Sequence, residues 1–263
     1  MSFLRTINPQ GHQRLVCFSP MGASPSLWDH VLGLMDQSWE IVHVNYPGYG
    51  TQKYQPFDSI DSFAVEIANE MNALEVKPTH LLGYSFGSWV TQYVMEYLTT
   101  EPCSLVLIGS SEKIYQQGIS LLNSWLDISL TEGIEAVLRQ VSLWSFYTKT
   151  FEQVPSLVRT FTDASLKAIQ TPEAIIGQIR MSLACTKTLD LERFSGPVLI
   201  IRGEYDNFYP RFCSENLLRR FRNAELIEFP DSGHAVLSES AFGCSKSIRK
   251  FFAKHATLNP IQQ

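Results

Sequence analysis

No stretch of this chain approaches the roughly 18 uninterrupted apolar residues of a membrane-spanning helix, so such a helix is not expected. The opening residues, MSFLRTINPQGHQRL, lack both a long apolar core and a small-residue cleavage site, and no secretory signal is expected there. Cysteine is scarce and poorly spaced for chemistry. The five cysteines, at 17, 103, 185, 213 and 244, form no CxxC pair and show no metal-ligand spacing. Cys17 and Cys103 sit in apolar runs and read as buried thiols, which fits a cytoplasmic, reducing setting. Excess positive charge is missing too: the net charge of −5 argues against nucleic acid or an anionic membrane as the main partner. The one dense basic cluster, Arg219, Arg220 and Arg222, falls on an expected surface helix and reads as a solvated face. Repeats and linker-like tracts are also absent. What is present is 263 residues, 44 % of them hydrophobic, enough to close a large core.

Short apolar runs alternate with helix-period segments. Leu15–Ser19, Ile41–Asn45, His80–Tyr84, Leu105–Gly109, Val198–Arg202 and Leu226–Phe229 read as buried strands, bounded by Pro, Gly or polar turns. Phe3–Ile7 adds a further candidate. Between them the pattern predicts helices over Leu27–Met35 (N-cap Ser26), Ser62–Leu74 (N-cap Asp61), Phe86–Thr99, Arg211–Phe221 and Glu239–Lys254. This alternation implies an α/β fold, a mostly parallel sheet flanked by helices, with ligands at the carboxyl ends of the strands.

The alternation stops once. From about Glu112 to Phe194 only helical patterns appear, with Thr171-Pro172-Glu173 as a helix start. Such a length is too great for a loop and too poor in strand signal to extend the sheet. The expected division is a core of 1–111 and 196–263 with a helical cap, 112–195, inserted in it. Of the cap aromatics, Trp125, Trp144, Phe146 and Tyr147 are candidates for a substrate pocket.

Gly83-Tyr84-Ser85-Phe86-Gly87 matches G-x-S-x-G, a weak pattern alone. Here it closes the strand THLLGYS and opens the amphipathic helix FGSWVTQYVMEYL, the setting of a nucleophile elbow. A serine hydroxyl needs a base. Of histidines 12, 30, 43, 80, 234 and 255, only His234, in EFPDSGHAVLSE, sits in a loop after a late strand; His43 and His80 fall in strand runs. The base needs an orienting carboxylate, for which Asp206 in EYDNFYP stands at a strand's carboxyl end, with Glu204 and Asp231 as rivals. An oxyanion hole needs two backbone N–H groups, for which Phe86 and, in CFSPMGASPSLW, Met21 are the candidates, since Pro20 has none to give.

Taken together, FSPMGASPSLW, YPGYG, GYSFGS, GEYDNFYP and SGHAVLSE resemble the α/β-hydrolase superfamily, in its form with a helical cap, over essentially the whole chain. The resemblance implies an acyl-transfer enzyme that uses Ser85, His234 and Asp206 and needs no metal or cofactor. Two features depart from the family pattern: Ser19-Pro20 stands where capped members carry His-Gly, and the stretch ahead of Leu15 is short, so the antiparallel strands usual there are expected to be trimmed. CFSPMGAS and VNYPGYG are also similar to loops of thioesterases that serve polyketide and nonribosomal peptide assembly. Hydrolysis of a carboxylic ester is the leading expectation. A thioesterase acting on acyl-CoA or an acyl carrier protein, a C–C bond hydrolase and a ligand-binding member without turnover are the alternatives.

Overall fold

The computed structural model describes residues 2–255 apart from 24, 34, 36 and 37. Seven strands, β1 (Leu4–Ile7), β2 (Gln13–Phe18), β3 (Trp39–Val44), β4 (Thr79–Tyr84), β5 (Ser104–Ile108), β6 (Val198–Gly203) and β7 (Ala224–Phe229), form one sheet in the order β1-β3-β2-β4-β5-β6-β7. Only β1 runs antiparallel, with Leu4 opposite Val44; the antiparallel edge is trimmed to this one strand among the described residues. Both faces of the sheet are covered, which is why its strands read as continuous apolar runs. On β4, β5 and β6 successive residues alternate between two cores: Leu81, Leu105, Leu107 and Ile200 on one side, Leu82, Val106, Ile108 and Ile201 on the other.

The first core packs under α2 (Ile60–Asn72) and α3 (Phe86–Val94), the second under Trp28 and the C-terminal helix. The predicted helix over Leu27–Met35 is instead a 3-10 turn, Pro25–Trp28, followed by the four residues of α1 (Asp29–Leu32), and Leu34 lies outside the described residues. Ser26 is inside the 3-10 turn, not at a cap. The cap of α2 is Ser59, not Asp61: extended Ser59 accepts from the Ser62 N–H, and the Ser62 hydroxyl accepts from the Ser59 N–H. Asp61 falls in the first helical turn and takes the Tyr97 hydroxyl and the Lys187 ammonium.

Five helices lie between β5 and β6: α4 (Gln116–Thr131), α5 (Ile134–Ser145), α6 (Thr148–Gln153), α7 (Pro155–Ala168) and α8 (Pro172–Leu183). Pro172 is at the first position of α8, with Thr171 as its N-cap, as the sequence predicts. After β6 come α9 (Arg211–Arg220), α10 (Val236–Glu239) and α11 (Ala241–His255); the helix predicted over Glu239–Lys254 is thus split at Ser240. No helix among the described residues is long and apolar enough to cross a membrane. The cysteines are free; Cys17 is buried, whereas Cys103 is only partly so.

His43 and His80 are strand residues with little exposure, and each leaves one ring nitrogen, Nδ1 and Nε2 respectively, without a hydrogen bond. The other nitrogen of His80, Nδ1, meets Ser104 Oγ at 2.7 Å. Burial pushes both imidazoles down from 6.5 to about 4. A proton is then bound more readily by the unfolded chain than by the folded one between those two values. Stability from these groups is complete above pH 6.5 and is lost as pH falls toward 4. At pH 5 the loss is about 2 kcal/mol per histidine, from 1.36 kcal/mol per pH unit. Urea unfolding at pH 7 and pH 5 is expected to show this drop, and His80→Leu to remove about half of it. An unchanged pH dependence in that variant would contradict the assignment.

Candidate active site

The carboxyl ends of four strands deliver the residues that the sequence singles out: Met21 after β2, Ser85 and Phe86 after β4, Asp206 after β6, and His234 after β7. Between them, after β5, comes Gly109. Ser85 has φ 53° and ψ −118°, a left-handed φ that a side-chain-bearing residue adopts at a cost. Its N–H donates to the Ile108 carbonyl (2.8 Å), and its own carbonyl accepts from Ser88 and Trp89, so the turn is held from both sides. The flanking glycines are required by close approach. A Cβ on Gly87 would lie 2.0 Å from the Phe18 carbonyl oxygen, and one on Gly83 2.7 Å from Ser88 Cα. Gly87 lets the turn press against the end of β2, and Gly83 lets the first turn of α3 fold back over its own strand.

Ser85 Oγ lies 2.8 Å from His234 Nε2, and His234 Nδ1 lies 2.8 Å from Asp206 Oδ2. A carboxylate only accepts, so Nδ1 carries the proton and Nε2 presents a lone pair to the serine hydroxyl. The other Asp206 oxygen accepts the N–H groups of Phe208 and Tyr209, both at 2.9 Å, so both oxygens are committed and the carboxylate cannot swing away. The rivals sit elsewhere: Glu204 is exposed, and Asp231 pairs with Lys149 at 3.3 Å on the surface. The histidine loop is tied on its far side. Tyr84 donates its hydroxyl to the His234 carbonyl (2.6 Å), and Glu239 accepts from the Gly233 N–H, the Tyr147 N–H and the Thr150 hydroxyl.

Gly109 is not among the residues the sequence points to; a glycine ending a predicted strand is the one signal there, and its φ of 51° comes from the fold. A Cβ there would stand 2.7 Å from His234 Cε1 and 2.9 Å from Nδ1. Gly109→Ala is expected to displace the imidazole and lower turnover about 100-fold, the scale of a small misplacement of reacting groups. Steady-state kinetics with a chromogenic ester check this, and turnover within twofold of wild type would contradict it.

Phe86 begins α3, so its N–H is among the four that a helix leaves without an internal acceptor. Met21 opens the turn after β2, closed by the Ala23 N–H on the Pro20 carbonyl at 3.2 Å. Where the family pattern has His-Gly, Ser19 is held in its own way: its hydroxyl accepts from Trp28 Nε1 (3.1 Å) and its carbonyl from the Tyr46 hydroxyl (2.8 Å).

Met21, Ser85, Phe86 and His234 share a cavity of about 110 Å³ with side chains from the inserted helices. Leu121, Leu122 and Trp125 come from α4, Val141 and Ser145 from α5, Phe161 from α7, and Phe208, Tyr209 and Phe212 from the segment after β6. No Lys, Arg, Asp or Glu is among the lining residues. Of the four predicted pocket aromatics only Trp125 reaches it. Trp144 borders a separate surface cleft with Arg202 and Glu204, its ring 6.1 Å from that of Phe208. Phe146, past the end of α5, packs edge-on to Phe161 at 5.2 Å between ring centroids, and Tyr147 stacks on Tyr205 at 4.0 Å. Cys213 also lines the cavity, but burial pushes its thiol up to about 12, so it supplies no thiolate at neutral pH. Among the described residues no group of three or more His, Cys, Asp or Glu could hold a metal ion.

Known proteins are similar to this chain in sequence and fold. A pimeloyl-[acyl-carrier protein] methyl ester esterase of Neisseria meningitidis is 24 % identical over 263 residues, covering 92 % of this chain and 78 % of that protein. A putative carbamate hydrolase, RutD, of Pantoea ananatis is 21 % identical over 228 residues, covering 85 % and 82 %. Among solved structures, MenH from S. aureus superposes with a TM-score of 0.84 at 17 % identity, covering 98 % of this chain and 100 % of that one. The enol-lactonase from Burkholderia xenovorans LB400 gives 0.82 at 16 %, covering 95 % and 96 %. The model of the alpha/beta hydrolase family matches residues 15–243, and with that span, this sheet order and this strand-to-helix turn, the chain belongs to that family.

Proposed function

We propose that this chain is a serine hydrolase that cleaves a carboxylic ester of an uncharged, apolar acyl group through an acyl-enzyme. The observation that carries the reading is the Ser85–His234–Asp206 hydrogen-bonded chain opening onto a cavity lined without a charged side chain. His234 Nε2 takes the Ser85 proton as Oγ bonds to the carbonyl carbon, and the N–H groups of Met21 and Phe86 receive the resulting oxyanion. His234 then gives that proton to the leaving alcohol. A water, deprotonated by the same nitrogen, releases the acid and restores Ser85. Asp206 holds the imidazole with Nδ1 protonated and stabilises the imidazolium. The helices of 112–195 act as the cap that shapes the acyl side of the site over the core of 1–111 and 196–263.

Burying a carboxylate without a partner costs several kcal/mol, so this cavity disfavours acyl chains that end in one. Several relatives are named as esterases of an acyl group borne on an acyl carrier protein, which supports a second reading in which such a protein presents the substrate. Turnover of p-nitrophenyl butanoate, hexanoate and octanoate, their carboxylate-ended counterparts, the matched thioesters and a methyl ester on free and carrier-borne acyl chains tests both. Neutral oxygen esters are expected to exceed the carboxylate-ended ones at least tenfold in kcat/KM. Equal or inverted rates would overturn the apolar assignment, and a clear thioester preference would point to thioester cleavage instead. Faster hydrolysis of a methyl ester on a carrier-borne acyl group than on the free acyl chain would favour the second reading.

A further inference from the structure

We propose that Gln178 is a positioning residue for the oxyanion loop, reaching it from the inserted helices; the proposal rests on the serine-hydrolase reading above. The turn Pro20–Ala23 has a positive φ (78°) at its third residue, Gly22, as a type II turn requires. The central peptide of such a turn, here Met21–Gly22, can rotate to face the other way, which converts one turn type into another. Gln178 Oε1 accepts the Gly22 N–H at 3.3 Å and so holds that peptide in one orientation. Upstream, Tyr46 and Trp28 hold Ser19. The Met21 N–H lies between these two anchored points.

A peptide N–H only donates, so the Gln178 atom facing Gly22 is its carbonyl oxygen. That oxygen also accepts the Tyr49 hydroxyl at 2.6 Å. Gln178 is 1 % exposed, yet its amide nitrogen has no hydrogen-bond partner. The unpaired donor costs stability, which the two hydrogen bonds accepted by Oε1 offset, so the amide is kept for what its oxygen holds. The YPGYG loop gains a role in the same arrangement. Its Gly48 carbonyl accepts from the Gln170 N–H and its Gly50 N–H donates to the Ala168 carbonyl, which docks the end of α7 and the connection into α8 and brings Tyr49 to Gln178. Seating of the inserted helices is thereby coupled to the geometry of the loop that carries Met21.

The test is steady-state kinetics with the best neutral ester, plus the affinity of an alkyl boronic acid that mimics the tetrahedral intermediate. Gln178→Met is expected to lower kcat about 10- to 100-fold, somewhat less than deletion of an oxyanion donor, with KM changed less than about threefold. Boronate affinity should fall by the same factor as kcat/KM. Tyr49→Phe, which removes one partner of the same oxygen and leaves no cavity, is expected to lower kcat about two- to tenfold. It carries the test alone if Gln178→Met does not fold. An unchanged kcat in the folded variant, or a raised KM at unchanged kcat, would overturn the proposal. If the wild type itself turns over no ester or thioester, the hydrolase reading fails and this one with it; an active wild type beside an unaffected variant overturns this one alone.

Discussion

Ser85→Ala is expected to reduce ester turnover by at least about 10⁴-fold, because removing the nucleophile of such a constellation costs on the order of 10⁶ in kcat and leaves only binding and oxyanion stabilisation. No neighbouring group takes over. Cys213 shares the cavity, but its thiol is held protonated by burial. The variant should fold as well as the wild type, since alanine meets the same φ of 53° with the same Cβ. Ser85→Gly separates strain from chemistry. Glycine adopts that φ freely, so this variant should be equally inactive yet about 1 kcal/mol more stable. Both expectations are read from a chromogenic ester assay and a thermal melt. A Ser85→Gly enzyme that melts no higher than wild type would show that the elbow stores no strain.

Asp206→Asn is expected to cost roughly 10³- to 10⁴-fold in kcat with little loss of structure. The asparagine carbonyl can still accept the Phe208 and Tyr209 N–H groups, so the turn survives. Its amide then faces His234 Nδ1 and donates to it, which drives the ring proton to Nε2, the nitrogen that must accept from Ser85. Glu204→Gln and Asp231→Asn are expected to stay within twofold of wild type, because one carboxylate is exposed and the other pairs with Lys149. A larger loss in either rival than in Asp206→Asn would reverse the assignment of the orienting acid.

Much of this was legible in the sequence because it follows from period and chain order. Strands buried on both faces must read as apolar runs, and the glycines around Ser85 are demanded by backbone contacts under 3 Å. Strand ends then place Asp206 and His234 near one another. What stayed hidden depends on contacts between residues far apart in the chain. Nothing in the letters near position 178 says that a glutamine meets Gly22 across 156 residues. Gly109 looks like any strand-ending glycine until the His234 ring is beside it. Among the inserted helices, aromaticity was a poor guide to the cavity. Trp144 meets Phe208, Phe146 packs on Phe151 and Phe161, and Tyr147 stacks on Tyr205. Those three lie outside the cavity lining, whereas Leu121, Leu122 and Phe161 line the site. The cap of α2 was missed for a local reason: Ser59 and Ser62 complete a reciprocal pair that outcompetes Asp61.

The central claim is that Ser85 becomes covalently acylated. Intact-mass spectrometry of the protein after exposure to an alkyl fluorophosphonate, followed by peptide mapping, tests it most directly. The expected result is one adduct per chain, on Ser85, lost in Ser85→Ala and strongly slowed in Asp206→Asn. An unmodified wild-type protein, an adduct on another residue, or equal labelling of Ser85→Ala would contradict it.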